Sequence, residues 1–242
     1  MKRNSLVVIG IILCVASFLA IGLHGLLQGS ASASQPCTAP TILFDGTEAK
    51  FTQVVGVSAS LDSIGPPLCG NAWWSDSSYW VLLGGNAQQD ACALAQAGLG
   101  KSPNLAIKVF AEYGKSCNDN PPTIRVVWGN AQAGTHKYQV KYNANKHKAI
   151  MRYDGLVITR TNFDPAAVWG AQPWDEEWNA EVHDPGDDVP GTAAVPEFFS
   201  VLRHATCQAC AWEAPVGLRL KSDSDRYDWS WDTNEKFHIW TK

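Results

Sequence analysis

Charged residues are scarce in this chain of 242 residues, and sustained helical patterns, charge runs and internal repeats are missing. Only 17% of the residues are Asp, Glu, Lys or Arg, while 45% are hydrophobic and 11 are Trp. These figures exclude a disordered chain and a coiled coil. The 19 Lys and Arg residues are outnumbered by 23 Asp and Glu residues, with no basic run. We therefore expect neither nucleic acid nor an anionic lipid surface as the main partner.

The common catalytic signatures are also missing. The sequence contains no G-x-S-x-G elbow, no H-E-x-x-H helix, no P-loop and no G-x-G-x-x-G after a strand. The six His residues are scattered and form no ligand pair. We therefore expect no metal ion and no cofactor. The acidic loop His183–Asp188 could hold Ca²⁺, but its spacing matches no calcium loop, and we interpret it as a solvated turn.

The N-terminus has the pattern of an export segment. Lys2 and Arg3 precede the apolar stretch Leu6–Leu27, and Ala31–Ala33 is an A-x-A site, which predicts cleavage before Ser34. The apolar stretch is also long enough to span a bilayer, so an uncleaved membrane anchor remains an alternative. In both cases we expect the residues from about 34 onward to face the outside.

Six cysteines remain once Cys14 is assigned to the export segment: Cys37, Cys69, Cys92, Cys117, Cys207 and Cys210. An even number in an exported chain predicts disulfides, although the sequence alone cannot choose the pairing. Cys207 and Cys210 have C-x-x-C spacing, which is also typical of redox and zinc sites. Because no second C-x-x-C and no βαβ pattern accompany them, a structural disulfide is the preferred interpretation.

Short strands are predicted along most of the chain, with loops at 35–50 and 61–78. Asp154-Gly155 predicts a hairpin, and 164–169 could form one helical turn. The predicted strands are Phe51–Ser58, Tyr79–Gly84, Ala91–Leu99, Ala106–Tyr113, Ile124–Trp128, Thr135–Tyr142, Lys148–Tyr153, Leu156–Asn162, Glu176–His183, Glu197–Leu202, Tyr227–Trp231 and Phe237–Trp240. This pattern favours an all-β fold, an antiparallel β-sandwich. We expect an extended N-terminal segment over 34–50 and a single domain over 51–242.

Polar residues stand at unusual places in three of these strands. Gln96 interrupts a run of small apolar residues, and such an amide must find partners or line a wet cavity. Alternation places Glu177 and Glu181 on one face of their strand, with Trp178 on the other. Glu112 likewise shares a face with Phe110. Paired carboxylates suit general acid/base chemistry, while a Gln bonded to backbone and a solvent-exposed strand face are the plainer alternatives.

Four segments in order resemble the glutamic peptidases. Trp80–Gly85, Ala95–Gly98, Phe110–Tyr113 and Glu177–Glu181 are similar to the W-V-G-I-D-G, L-Q-T-G, W-Y-E-W and A-E-W-I-V-E segments of the eqolisin type. The last segment is also similar to E-W-G-G-E of the plant neprosin type. Secreted bacterial proteins with W-V-x-L-x-G and Q-A-G segments show the same style. The chain departs from the pattern at Gly84, where the eqolisin segment has Asp.

The resemblance implies two curved antiparallel sheets of concanavalin-like form, with a substrate cleft on the concave face. It also implies that Gln96 and Glu181 form the catalytic pair. Ionised Glu181 would act as general base on a water, and the Gln96 amide would donate to the oxyanion. The residues expected to line or brace the cleft are Trp80, Phe110, Glu112, Glu177 and Trp178.

The sequence therefore predicts a secreted, metal-independent, acid-active endopeptidase that takes a protein or peptide substrate. A non-catalytic extracellular module that binds glycan or a surface protein on the same sandwich is the alternative. An anchored surface protein with a structural role is a third possibility, which an uncleaved Leu6–Leu27 segment would favour. The sequence does not indicate an oligomeric state.

Overall fold

A computed structural model describes residues 36–85 and 90–242. The predicted export segment and its cleavage site lie outside the described residues. In these two ranges no helix is long and apolar enough to cross a membrane.

Fourteen strands within the described ranges form two antiparallel sheets of seven strands each, which confirms the predicted β-sandwich. The strands are β1 (Leu43–Thr52), β2 (Gly56–Asp62), β3 (Ser77–Gly84), β4 (Leu94–Lys101), β5 (Lys108–Gly114), β6 (Thr123–Asn130), β7 (Thr135–Asn143), β8 (Lys148–Tyr153), β9 (Leu156–Arg160), β10 (Trp174–Val182), β11 (Glu197–Ala205), β12 (Arg219–Ser222), β13 (Tyr227–Thr233) and β14 (Lys236–Thr241). The front sheet has the order β12-β1-β10-β3-β4-β5-β6, and the back sheet has the order β13-β14-β11-β2-β7-β8-β9.

The core lies between the two sheets and is formed by every second residue of each strand. On β3 the inward residues are Tyr79, Val81 and Leu83, all fully buried. On β10 the inward Trp178 donates its indole N–H to the carbonyl of Ser58 on the back sheet, at 3.0 Å. Burying large side chains of this kind stabilises the fold by about 1.5–3 kcal/mol each, so the alternation of the central strands holds the sheets together.

The sandwich begins earlier in the chain than the sequence predicts. β1 starts at Leu43 and lies between β10 and β12, inside the segment predicted to be an N-terminal extension. The predicted strand Phe51–Ser58 is wrong, because those residues comprise the end of β1, a turn and the start of β2. Polar residues such as Glu48 and Lys50 made β1 look like a loop.

Two local predictions are confirmed. The Asp154-Gly155 turn joins β8 to β9, with Gly155 at a φ of 81° that glycine adopts without strain. The single helical turn, α1 (Pro165–Val168), is capped by Asp164, whose side chain accepts a hydrogen bond from the Ala166 N–H.

Three disulfides link the six described cysteines. The pairs are Cys37–Cys69, Cys92–Cys117 and Cys207–Cys210. The interpretation of the C-x-x-C pair as a disulfide is confirmed. The first bridge joins the segment before β1 to the β2–β3 loop, and the second joins the β3–β4 loop to the β5–β6 loop.

The acidic loop at 183–188 is not a solvated turn. Asp184, Asp187 and Asp188 are buried, and their carboxylates accept hydrogen bonds from protein donors. Asp184 accepts from two backbone N–H groups of the N-terminal segment and from the Trp74 indole. Asp188 pairs with Arg226 at 2.5 Å. The carboxylates of the loop therefore bind neighbouring chain segments. These contacts supply the hydrogen-bond and ion partners that buried charged groups need.

Two buried carboxyls of the sandwich favour their neutral form. Glu197 is fully buried, and burial raises its pKa to about 9, although one oxygen accepts a hydrogen bond from the Asp62 N–H. Burial also raises the pKa of Asp45 to about 7. In an unfolded chain both groups would release their protons at a lower pH, so the folded state binds more protons and loses stability as the pH rises.

We expect Glu197→Gln to flatten the pH dependence of stability between pH 7.5 and pH 9. In this window Glu197 stays protonated in the folded state but is ionised in the unfolded state, which lowers the unfolding free energy by up to about 1.4 kcal/mol per pH unit. Urea unfolding at several pH values measures the slope. Asp45→Asn is the matched control, since it should change the slope only below pH 7. Equal slopes for wild type and Glu197→Gln above pH 7.5 would contradict this assignment.

Candidate active site

Strand β10 presents two chemically different faces. Trp174, Trp178, Ala180 and Val182 are buried in the core, while Asp175, Glu177, Asn179 and Glu181 alternate with them on the opposite face of the front sheet. Trp178, predicted to line the cleft, lies between the sheets instead. The physical reason is that consecutive side chains of a strand point to opposite faces, so Trp178 points into the core while Glu177 points into the cleft.

The register of the front sheet aligns the predicted site residues into rows. Glu177 lies opposite Leu82, Leu82 lies opposite Gln96, and Gln96 lies opposite Glu112. Glu112 in turn lies opposite Arg125 on β6. Because directly opposite residues share a face, these five side chains form one line across the sheet, which we call the polar row.

A second row of opposed residues lies beside the polar row, and it contains a glycine, Gly98, at a position with no space for a side chain. Asn179 lies opposite Trp80, Trp80 opposite Gly98, and Gly98 opposite Phe110. A Cβ at Gly98 would come within 2.7 Å of Trp80 Cα and 2.1 Å of the Tyr79 carbonyl. The glycine of the Q-x-G segment is therefore required for close pairing of β3 with β4.

Glu181 belongs to a third row, in which it lies opposite Ser78 and Ser78 lies opposite Gly100. Gln96 is separated from Glu177 by two strand spacings, about 10 Å between backbones. Glu181 is displaced by a further four residues, about 13 Å along the strand direction. By backbone position Gln96 therefore lies closer to Glu177 than to Glu181, although both glutamates line the same cleft.

These rows form the base of a cleft of about 640 Å³. Its lining includes Phe44, Lys50, Trp80, Leu82, Gln96, Glu112, Arg125, Glu177, Glu181, His183 and Lys221. Phe110 lies beneath this surface, 2% exposed, with the Arg125 guanidinium over its ring at 4.3 Å. Of the residues predicted from sequence, Trp80, Gln96, Glu112, Glu177 and Glu181 line the cleft.

Gln96 is oriented by Glu112. The Gln96 amide nitrogen donates to Glu112 Oε2 at 3.4 Å, and Glu112 also accepts from Thr123 at 2.5 Å and from Arg125 at 2.9 Å. A carboxylate with these partners is an acceptor, so it fixes the NH₂ side of the amide. The amide has two hydrogens, and the second can be donated to a substrate oxygen.

Glu177 is surrounded by donors. Its Oε1 accepts from Lys50 at 3.1 Å, and its Oε2 accepts from Asn179 at 2.8 Å and Lys221 at 3.4 Å. Burial alone would lower the pKa of Lys50, but attraction to Glu177 and bonds to Glu48 and Glu177 raise it above its ordinary value. The Lys50 ammonium group therefore stays charged and forms an ion pair with the Glu177 carboxylate, which is buried at 3% exposure.

Glu181 lies at one end of the cleft in a different environment. Its Oε2 accepts from the Trp80 indole at 3.2 Å, and its Oε1 lies 2.8 Å from His183 Nε2. The hydrogen bond to Glu181 raises the pKa of His183, against the opposing effect of burial. Arg125 lies nearby, 3.8 Å from Asp76. This end of the cleft is rich in carboxylates, with one histidine that titrates.

The cations of the cleft were not predicted from the sequence. Lys50 lies on β1, which was predicted as a loop, and Lys221 lies on β12, for which no strand was predicted. Arg125 lies within a predicted strand, but it reaches Glu112 only through the pairing of β5 with β6. No local pattern marks these residues, because their role arises from pairing between distant parts of the chain.

The described residues offer two groups of possible metal ligands outside the cleft. One contains Cys37, Cys69 and Asp184, and the other contains Asp90, Cys92 and Cys117. All four cysteines are in disulfides, so their sulfur atoms are not thiolate ligands. In the cleft, ion pairs with Lys50 and Arg125 already balance Glu177 and Glu112.

Gly98→Ala should destabilise the protein by about 1–3 kcal/mol, because the added methyl group would collide with the backbone of β3. Gly100→Ala, two residues along the same strand, is the matched control, since its Cβ would meet Phe110 at an ordinary 3.5 Å. Thermal unfolding of the two variants measures the difference. Equal melting temperatures would contradict the close pairing of β3 and β4.

Comparisons with known proteins identify the fold. No protein-family model matches the sequence, and no curated protein matches it. Among solved structures, scytalido-glutamic peptidase with a peptide-based transition state analogue matches with a TM-score of 0.58 and 9% identity, covering 84% of this chain and 100% of that one. SCP-B, an eqolisin-family peptidase in complex with the tripeptide Ala-Ile-His, matches with a TM-score of 0.56 and 10% identity over the same shares. The chain therefore has the β-sandwich fold of the eqolisin glutamic peptidases.

Proposed function

We propose that this protein is a hydrolase that cleaves peptide bonds by attack of a water held between Gln96 and Glu177. The observation that carries the proposal is the polar row, which aligns an amide donor and a carboxylate across one intervening residue, Leu82. The similarity in fold to peptidases, one of them bound to a tripeptide, adds support. It also makes a non-catalytic binding module the less favoured alternative.

The chemistry needs a base, an oxyanion donor and a proton carrier. Glu177 accepts a proton from the water while the water oxygen bonds to the peptide carbonyl carbon. Gln96 donates an N–H to the developing oxyanion, a role that suits a fixed neutral donor. Glu177 then passes its proton to the leaving nitrogen, the C–N bond breaks, and a carboxylic acid and an amine result.

The neighbours of Glu177 hold its carboxylate in place. Lys50 and Lys221 form ion pairs with it. Asn179 holds Oε2 at 2.8 Å, which restricts the side chain to one orientation. Oriented groups of this kind remove part of the entropy cost of the reaction.

Glu181 has a different role in this proposal. The resemblance implied it as the catalytic glutamate, but its displacement along β10 and its bonds to Trp80 and His183 favour a role in binding. Glu181 and His183 line this end of the cleft, and Asp76 lies close to both. We infer that this end receives a basic or polar residue of the substrate.

Secretion and action at acid pH are further parts of the proposal. Three disulfides support an oxidising compartment, reached by cleavage before Ser34 or by an anchor at 6–27, with one domain following. The raised pKa values of Asp45 and Glu197 mean that these two groups contribute more stability in acid than at alkaline pH. The predicted substrate is a protein or peptide, in keeping with the tripeptide bound to one of the peptidases of similar fold.

Glu177→Gln should lower kcat for hydrolysis of a denatured protein by roughly 10³-fold, because the variant has no base. Glu181→Gln, a change of the same size on the same strand, should retain kcat within about tenfold and mainly raise KM. The assay uses purified residues 34–242 between pH 2 and 8, with and without EDTA.

The outcomes separate the two glutamates. Loss of activity in Glu181→Gln together with retention in Glu177→Gln would return the base role to Glu181. Activity abolished by EDTA in wild type would contradict a metal-independent mechanism. No cleavage at any pH by a folded, oxidised sample would exclude the peptidase proposal.

A further inference from the structure

Positive charge is concentrated in one segment of this acidic protein. Residues 135–160 contain six Lys and Arg residues and one acidic residue, a net charge of +5 in a chain whose total is −4. This segment comprises β7, β8 and β9, which are neighbours in the back sheet. The cations are Lys137, Lys141, Lys146, Lys148, Arg152 and Arg160.

Strand alternation brings most of these cations to one face. On β7 the residues Tyr138, Val140 and Tyr142 point into the core, so Lys137 and Lys141 point outward. On β8 the inward residues Ala149 and Met151 likewise leave Lys148 and Arg152 on the outside. Arg160 shares this face, since it lies opposite Ile150, which itself lies opposite Lys141. We call this surface the basic face.

Among the residues that the structure describes, no carboxylate forms an ion pair with any of the six cations of this segment. The two nearby acids are engaged elsewhere: Asp154 accepts from His136 and the Lys137 N–H, and Asp164 accepts from His147 and Tyr142. Burial, and then repulsion by Arg152, lowers the pKa of Lys141, and burial and Arg160 lower that of Arg152. An anion bound between Lys141 and Arg152 would offset the repulsion between neighbouring cations and favour their charged forms.

The basic face also contains a recess with fixed donors. Lys141, Asn143, Ile150, Arg152 and Gln208 line a recess of about 190 Å³ between β7, β8 and the Cys207–Cys210 loop. Lys141 donates to the Gln208 carbonyl at 3.0 Å, which holds its ammonium group at the edge. Ile150 forms an apolar floor at 2% exposure.

Trp212 orders the adjoining part of the face. Its ring lies 5.2 Å from the Lys141 ammonium and 5.9 Å from that of Lys137. Cation–π contacts of this kind restrict two flexible side chains before any ligand arrives. Lys137 and Lys141 are four residues apart on one strand, about 13 Å, so they form a line of positive charge that leads into the recess.

We propose that the basic face binds a linear acidic polysaccharide, with one carboxylate or sulfate group seated in the recess beside Lys141 and Arg152. A recess of this size accommodates a single anionic group, and the line of cations along β7 suits further charges spaced along an extended chain. The three disulfides suit an oxidising environment outside the cytosol, and acidic polysaccharides are one class of extended polyanion found there.

The basic face belongs to the back sheet, whereas the cleft lies on the outward face of the front sheet. A polymer on the basic face therefore does not enter the cleft. Binding there would retain the protein at a polymer-rich surface while the cleft stays open to a substrate. The inference stands independently of the proposed hydrolysis.

The test measures binding of residues 34–242 to polygalacturonate and to heparin by isothermal titration calorimetry at low salt. The double variant Lys141→Gln/Arg152→Gln should bind roughly 30-fold more weakly and show a shallower dependence on salt. The matched control, Lys236→Gln/Lys242→Gln, removes the same charge from β14 and its end, where both lysines pair with Asp residues. It should bind within twofold of wild type. Circular dichroism melting checks that both variants fold.

Three outcomes would overturn the proposal. Equal affinity of the two double variants would show that binding follows net charge rather than the basic face. Equal binding to neutral dextran would remove the need for an anion. Tighter binding to duplex DNA, or to vesicles containing anionic lipid, than to both polysaccharides would assign the basic face to another class of partner. Peptidase activity unchanged in all variants is the expected result for a site outside the cleft.

Discussion

The pairing register of β10 with β3, and of β3 with β4, determines where the polar side chains of the cleft lie. Side chains alternate along a strand, so a slip of one residue would place Glu177 in the core and Trp178 in the cleft. Trp178 resists such a slip through its bond to the back sheet. Gly98 contributes as well, because the close approach of β3 and β4 at this point excludes any side chain. The relation of Gln96 to Glu177 therefore depends on packing on the far side of the sheet.

The two sheets differ in how their charged side chains are paired. On the front sheet, buried carboxylates are matched by Lys50, Lys221 and Arg125, an arrangement that removing one partner would make costly. On the back sheet, the cations of the basic face form no ion pair with any carboxylate that the structure describes, whereas Lys236 on β14 pairs with Asp232. Unmatched like charges lower stability, and their concentration on one face is the physical basis for assigning that face to an external anion. The net charge of −4 does not reveal that the cations of residues 135–160 are concentrated in one part of the back sheet.

The sequence predicted secondary-structure elements best where strict alternation or a specific turn motif was present. Thr135–Tyr142 alternates strictly and appears as β7, and Asp154-Gly155 forms its hairpin. Prediction failed at β1, where the cleft requires polar residues such as Glu48 and Lys50 on one face of a strand. A strand that carries a binding site therefore resembles a loop when composition alone is considered. The acidic loop was misinterpreted for a related reason, since its carboxylates are buried against donors from distant segments.

The sequence by itself determined the all-β class, the number of cysteines available for disulfides and the separation of the two faces of β10. Each follows from the order of residues within one segment, which alternation converts directly into a face. Tertiary structure alone decided which glutamate lies nearest to Gln96 across the sheet, which lysines surround that glutamate, and which five cations share the basic face. Those relations join strands far apart in the chain, and their register is set by the packing of the whole sandwich.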